Sequence, residues 1–105
     1  MYIYIYRMEV VVKKSSNKNK KFDAVINGTK KVSFGDSNYQ DFTQHKDEQR
    51  KENYINRHSK NENWGISGVR TAGFWSKHLL WNKPTLKASV EYINNRFNNL
   101  NVKLM

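Results

Sequence analysis

The stretch Phe22-Asp23-Ala24-Val25-Ile26-Asn27-Gly28-Thr29-Lys30-Lys31-Val32-Ser33-Phe34 decides the fold. The runs Phe22 to Ile26 and Lys31 to Phe34 are rich in β-branched and aromatic residues, which suit a pleated, half-buried surface. Between them stands Asn27-Gly28, the strongest short hairpin signal, because a type I′ turn needs positive φ at both central residues. Upstream, Tyr2 through Val12 is a third strand-like run, and the polar segment Ser15 to Lys21 reads as the loop that joins it to the hairpin. The N-terminal third is therefore predicted to be an antiparallel hairpin or three-stranded meander. Residues 1–7 read as an N-terminal extension, with Met8 an alternative start. In that extension Tyr2, Tyr4 and Tyr6 alternate with Ile3 and Ile5, so the three tyrosines would share one face of a strand able to add to a partner's sheet edge.

After Gly35 the pattern turns helical. Gly35-Asp36-Ser37-Asn38 is a turn cluster, and Asp47 can cap a helix through His58, with Glu48 in the first turn where the helix dipole favours a carboxylate. Its apolar stripe is narrow: Tyr54, Ile55 and His58 pack, helped by Tyr39 and Phe42 from outside the helix. Residues 61–73, with three glycines, form a connecting loop, Phe74 to Trp81 a short apolar helix, and Pro84 a stop. Thr85 caps a last helix on which Leu86, Val90, Ile93 and Phe97 recur at spacings of four, three and four. Residues 98–105 are a tail, frayed or carrying a short strand through Val102 to Leu104. The fold class is α+β: the small meander first, then two or three short helices, in a single domain over 1–105.

A chain of 105 residues has a thin core, and its 14 aromatic side chains must supply much of it. The expected core is Phe34, Phe42, Tyr54, Phe74, Trp75, Leu79, Trp81, Leu86, Val90, Ile93 and Phe97. Cysteine is absent, which excludes disulfides, thiolate metal sites and thiol catalysis. No apolar run approaches the roughly 18–20 residues of a membrane span, and no secretory signal is apparent, so a protein without membrane insertion, inside a cell or particle, is expected.

The formal charge is +10, distributed unevenly. Residues 1–35 hold eight basic and two acidic residues, 36–63 five and six, and 64–105 six and one, for +6, −1 and +5. Two basic ends around a neutral middle attract polyanions if folding gathers them on one face, and merely keep the protein soluble if it scatters them. The candidate residues for nucleic acid or an acidic partner are Lys13, Lys14, Lys18, Lys20, Lys21, Lys30, Lys31, Lys77, Lys83 and Lys87. Two tryptophans, a phenylalanine and two leucines between Phe74 and Trp81 exceed what one helix face hides, so that helix is central in the domain or partly offered to a partner.

Catalytic signals are weak. His45, His58 and His78 lie 13 and 20 residues apart, which matches no compact metal motif, and neither a metal nor a cofactor is expected. Asp41, His45 and Asp47 suggest a metal-dependent nuclease, but capping and dipole roles already account for the carboxylates. Phosphate-cradling glycine loops and serine-nucleophile motifs are missing.

Several segments have a familiar pattern: Lys21-Phe22-Asp23-Ala24, Val32-Ser33-Phe34-Gly35, Tyr39 through Asp47, Arg50-Lys51, Tyr54-Ile55-Asn56-Arg57-His58, and Thr71 through Leu86 with its Gly-Phe-Trp-Ser and Leu-Leu-Trp-Asn-Lys-Pro-Thr. Over about residues 20–97 the chain resembles a family of short uncharacterised proteins of large double-stranded DNA viruses, of the giant-virus and algal-virus kind. The resemblance implies a viral origin and a virion or host-cell location, and carries no functional residues with it. The expected function is a non-enzymatic structural role, as a minor capsid or core component bridging larger virion proteins or packaged DNA through the basic ends. The alternatives are a nucleic-acid-binding protein of infected cells and, last, the nuclease.

Overall fold

The structure, a computed structural model, describes residues 7–105, so the strand expected through Tyr2, Tyr4 and Tyr6 lies outside the described residues. Three strands come first: β1 (Met8–Lys14), β2 (Lys20–Ile26) and β3 (Lys30–Asp36), each antiparallel to the next. The meander and the α+β class are as the sequence predicts. At the hairpin Asn27 has φ 51° and Gly28 φ 71°, the two positive values that the dipeptide signals. Lys30 pairs with Ile26, so three residues rather than two close the loop.

Alternation sets the faces. Met8, Val10, Val12, Ala24, Ile26, Val32 and Phe34 are buried on one side of the sheet. The other side is open and carries Glu9, Lys13, Lys31 and Lys103 around half-buried Val11 and Val25. Asp23 lies there, yet it is only 1% exposed, because the hydroxyls of Ser15 and Ser33 both donate to its Oδ1 at 2.7 and 2.6 Å.

The helices follow. α1 (Phe42–His45) is a single turn closed by a capping box, with Asp41 accepting from the Thr43 amide and Gln44 reaching back to the Asp41 amide. α2 (Glu48–His58) is capped by Asp47, which accepts from Gln49 and Arg50 amides. α3 (Ala72–Trp75) starts at a Thr71 cap, two residues before the predicted start. It runs into a π-helical turn over Ser76–Leu80, closed by the Trp81 amide on the Ser76 carbonyl at 3.1 Å. α4 (Leu86–Arg96) starts at Thr85, whose hydroxyl accepts from the Ala88 amide as expected.

Of the two readings of the C-terminus, the strand is the one observed, and it is longer than predicted. β4 (Leu100–Leu104) pairs in parallel with β1, giving the order β3-β2-β1-β4. Residues 98–105 are not a frayed tail, since Leu100 and Val102 are each 2% exposed. β4 is an edge strand, and α4 covers it: the Asn94 amide accepts from Val102 N–H at 2.8 Å and donates to Val102 C=O at 3.1 Å, as a neighbouring strand would.

The core lies between the sheet and the layer formed by α3, the π turn and α4. Phe34, Phe74, Trp75, Leu79 and Ile93 are fully buried, each contributing about 1.5–3 kcal/mol by removal from water. The Trp75 indole donates to Val69 O at 2.7 Å. Gly35, at φ 82°, lets β3 pass close to the π turn, since a Cβ there would sit 2.8 Å from Leu80 Cδ1. Two core expectations need correction. Tyr39 is 68% exposed, and Trp81, Leu86 and Val90 are half-buried at the core's margin.

Candidate nucleic-acid interface

The lysines of the basic ends do not share one face. Lys14, Lys18, Lys20 and Lys21 converge because the β1 end, the following loop and the β2 start lie together at one end of the sheet. They line a cleft of about 690 Å³ with Phe22, Ser37, Asp41, Thr43, Gln44 and Leu86. Lys13 and Lys31 sit instead on the open face, Lys13 opposite Asp23. Burial raises the Asp23 carboxyl, but the Ser33 and Ser15 hydroxyls, Lys31 and the Ser16 backbone outweigh it and hold the group below the usual carboxylate range. Lys30 is exposed at the hairpin end and Lys87 on α4. Lys77 and Lys83 belong to a second cluster.

The lysine-lined cleft continues into two more. A cavity of about 400 Å³ shares Lys20, Lys21 and Asp41 with it and adds Tyr39, Tyr54, Arg57, His58 and Trp81. A third, of about 260 Å³, shares Tyr39, Gln40, Arg57 and Trp81 and adds Arg50 and Asn53. These three adjoining cavities, lined from Lys14 to Arg50, make up the groove. Lys21 is engaged within it, its ammonium 2.7 Å from both Asp41 Oδ2 and Gln44 Oε1, which ties β2 to α1. The groove's other cations, Lys14, Lys18, Lys20, Arg50 and Arg57, are in no ion pair among the described residues.

Tyr54, His58 and Trp81 line the groove floor as one end of an aromatic ladder that continues beneath it. Tyr54 stacks on Trp81 with centroids 4.4 Å apart and planes 2° off parallel, and His58 stacks on the other face of Tyr54 at 4.3 Å. His45 lies against Trp81 at 5.4 Å, and Phe42 against His45 at 6.2 Å. The ladder holds α1, α2 and the π turn together, and it explains how polar α2 docks with Tyr54 its one buried residue. Burial, reinforced by Glu62, pushes the Tyr54 hydroxyl up to about 12, so it stays protonated. Burial, then Arg50, holds His45 below the usual imidazole value, with Asp47 and Asp41 opposing. Tyr39 stands apart from the ladder as the exposed ring shared by two cavities.

The nuclease residues are near one another but engaged. Asp41 accepts from the Thr43 amide and hydroxyl and holds Lys21, Asp47 caps α2, and His45 Nδ1 accepts from the Asp47 amide at 2.9 Å. Among the described residues no three His, Asp or Glu side chains gather as a metal would require. His58 and His78 are ring-packing residues: His78 lies 4.6 Å from Phe74 and 5.2 Å from Phe97. Among the same residues no helix is long and apolar enough to cross a membrane.

Sequence reasoning missed Arg50, Arg57 and Tyr39 as site residues, because they belong to the segment of net charge −1. The available signal was their placement: Arg50 and Arg57 are seven apart, two turns along one face of α2.

Residues 10–58 match the model of a protein family described as a family of unknown function (DUF5754). The match runs from within β1 to the end of α2, and so takes in both basic walls of the groove and Tyr39, but not Trp81. No curated protein and no solved structure matches the chain.

Proposed function

We propose that the protein binds single-stranded nucleic acid along the groove from Lys14 to Arg50. The observation that carries this reading is Tyr39, an exposed ring at the junction of two cavities, set between Lys20 on one side and Arg50 and Arg57 on the other. Cations that track a backbone, with an aromatic face among them, are what single strands use: phosphates go to the cations and a base stacks on the ring. Clefts of 260–690 Å³ admit individual bases and phosphates rather than a whole duplex. Tyr54 is stacked between His58 and Trp81, and His45 lies tilted against Trp81, so these two rings are engaged and shape the floor while Tyr39 does the stacking. The virion setting implied by the viral resemblance is compatible with this role where the strand is a packaged genome.

Fluorescence anisotropy with a labelled oligonucleotide of about 20 nucleotides tests it. The five groove cations contribute about −3.5 to the log–log salt slope, at roughly −0.7 per phosphate on a single strand. Tyr39→Ala weakens binding by about 5- to 150-fold, the loss of one base stacked on an aromatic ring. Equal affinity for a duplex of the same sequence, together with no effect of Tyr39→Ala, would overturn the reading.

A further inference from the structure

Away from the groove, four cations lie over aromatic rings. Lys77 Nζ is 5.5 Å from the Trp64 ring centre, Lys83 Nζ 5.5 Å from Tyr92, Arg96 Cζ 5.1 Å from Phe97 and Lys51 Nζ 4.9 Å from Phe42. Three of those rings belong to residues that meet at one buried side chain. His78 bonds the Trp64 carbonyl at 2.8 Å, stacks on Tyr92 at 6.2 Å and meets Phe97 edge-on at 5.2 Å. Lys51 is further fixed by donating to Asn82 O at 2.6 Å. The cations are therefore held in place by a rigid backing instead of waving in solvent.

The cluster is electrically unbalanced. Among the described residues neither ion pair includes Lys77, Lys83, Arg96 or Lys51. Lys77 is held below the usual lysine range by burial first and then by Lys51, Arg96 and Lys83, all positive. Residues 64–105 contain a single acidic residue, Glu91, which is exposed on α4. Like charges brought together cost energy, and an anion removes that cost.

We propose that Lys77, Lys83 and Arg96, backed by Lys51, form a second phosphate-binding site, separate from the groove, that takes the backbone phosphates of a nucleic-acid segment. Its chemistry is independent of the groove, and only the identity of its ligand rests on the nucleic-acid reading. Trp64, Lys77, Lys83, Tyr92 and Arg96 line none of the three groove cavities, so the two sites can be loaded separately.

The test is titration of the full ¹⁵N-labelled chain with inorganic pyrophosphate, following the Trp64 indole and Tyr92 amide signals. Saturable shifts at both are expected, unchanged in Tyr39→Ala and weakened about tenfold or more in K77Q/K83Q, the loss of two charge-assisted contacts. No saturable shift, or the same shift in K77Q/K83Q, overturns the site. Lys83→Gln alone, on an exposed residue, keeps the test decisive if the double variant is unstable. The ligand's identity is read from the oligonucleotide: K77Q/K83Q should flatten the salt slope by about 1.4, two phosphates' worth, and an unchanged slope removes nucleic acid as the ligand. The groove stands or falls on Tyr39→Ala binding to the oligonucleotide, so one site can fail without the other.

Discussion

His78 is the residue on which acid stability turns. Its Nε2 faces the Trp64 carbonyl at 2.8 Å, which makes Nε2 the protonated nitrogen of the neutral ring, and its buried Nδ1 has no hydrogen-bond partner among the described residues. Burial brings the ring from 6.5 down to about 4, aided by Lys77 and Arg96 and opposed by the bond to Trp64. Because the folded value is depressed, the unfolded chain takes up the proton first as pH falls. The stability present above about 6.5 is then lost progressively down to about 4, on the order of 3 kcal/mol. His45 is shifted in the same direction and adds to the loss. Urea midpoints should drop steeply between pH 7 and 4, and His78→Gln, which keeps a donor for Trp64 O, should give a flatter profile. Parallel profiles for the two proteins would clear His78. The sequence reading of His78 as a partner of Phe74 four residues earlier anticipated the packing, but no spacing rule reveals that a carbonyl 14 residues upstream is its hydrogen-bond partner.

At the scale of elements, the parts with local chemical signatures were legible. Asn27-Gly28 announced the hairpin because few other residue pairs tolerate two positive φ values, and Asp47 and Thr85 announced helix starts because their oxygens accept from amides two or three residues on. β4 stayed ambiguous because its register is set by β1, some 90 residues away, and its outward residues Asn101 and Lys103 are as polar as a tail's. The π turn left no compositional mark at all, since it is one hydrogen bond displaced by one residue. Asn94 was invisible for the same reason as β4. Asn94→Ala strips Val102 of both its edge bonds, so a loss of about 2 kcal/mol is expected, together with association through the bared edge. Urea unfolding and light scattering check the two effects, and a variant as stable and monodisperse as the parent would show that the edge needs no cover.

For the whole molecule, charge counted along the chain and charge arranged in space differ. The neutral middle segment supplies Arg50 and Arg57 to the groove and Lys51 to the second cluster, while Lys13, Lys30, Lys31 and Lys87 of the basic ends go elsewhere. Folding thus replaces two basic ends by two cationic clusters, and two of the groove's five unpaired cations, Arg50 and Arg57, could not be found by dividing the sequence. Neutralising cations outside both sites, as in Lys30→Gln with Lys103→Gln, should change oligonucleotide affinity by no more than about threefold, since such charges are screened beyond about 8–10 Å. A larger loss in the same anisotropy assay would mean that net charge alone governs binding. The parallel pairing of β4 with β1 also has a consequence for how the chain is made. During synthesis the meander can close as soon as β3 leaves the ribosome, but β1 keeps one open flank until β4, which follows α4, has emerged. Until then each nascent chain carries an unsatisfied strand edge, through which chains translated side by side can pair.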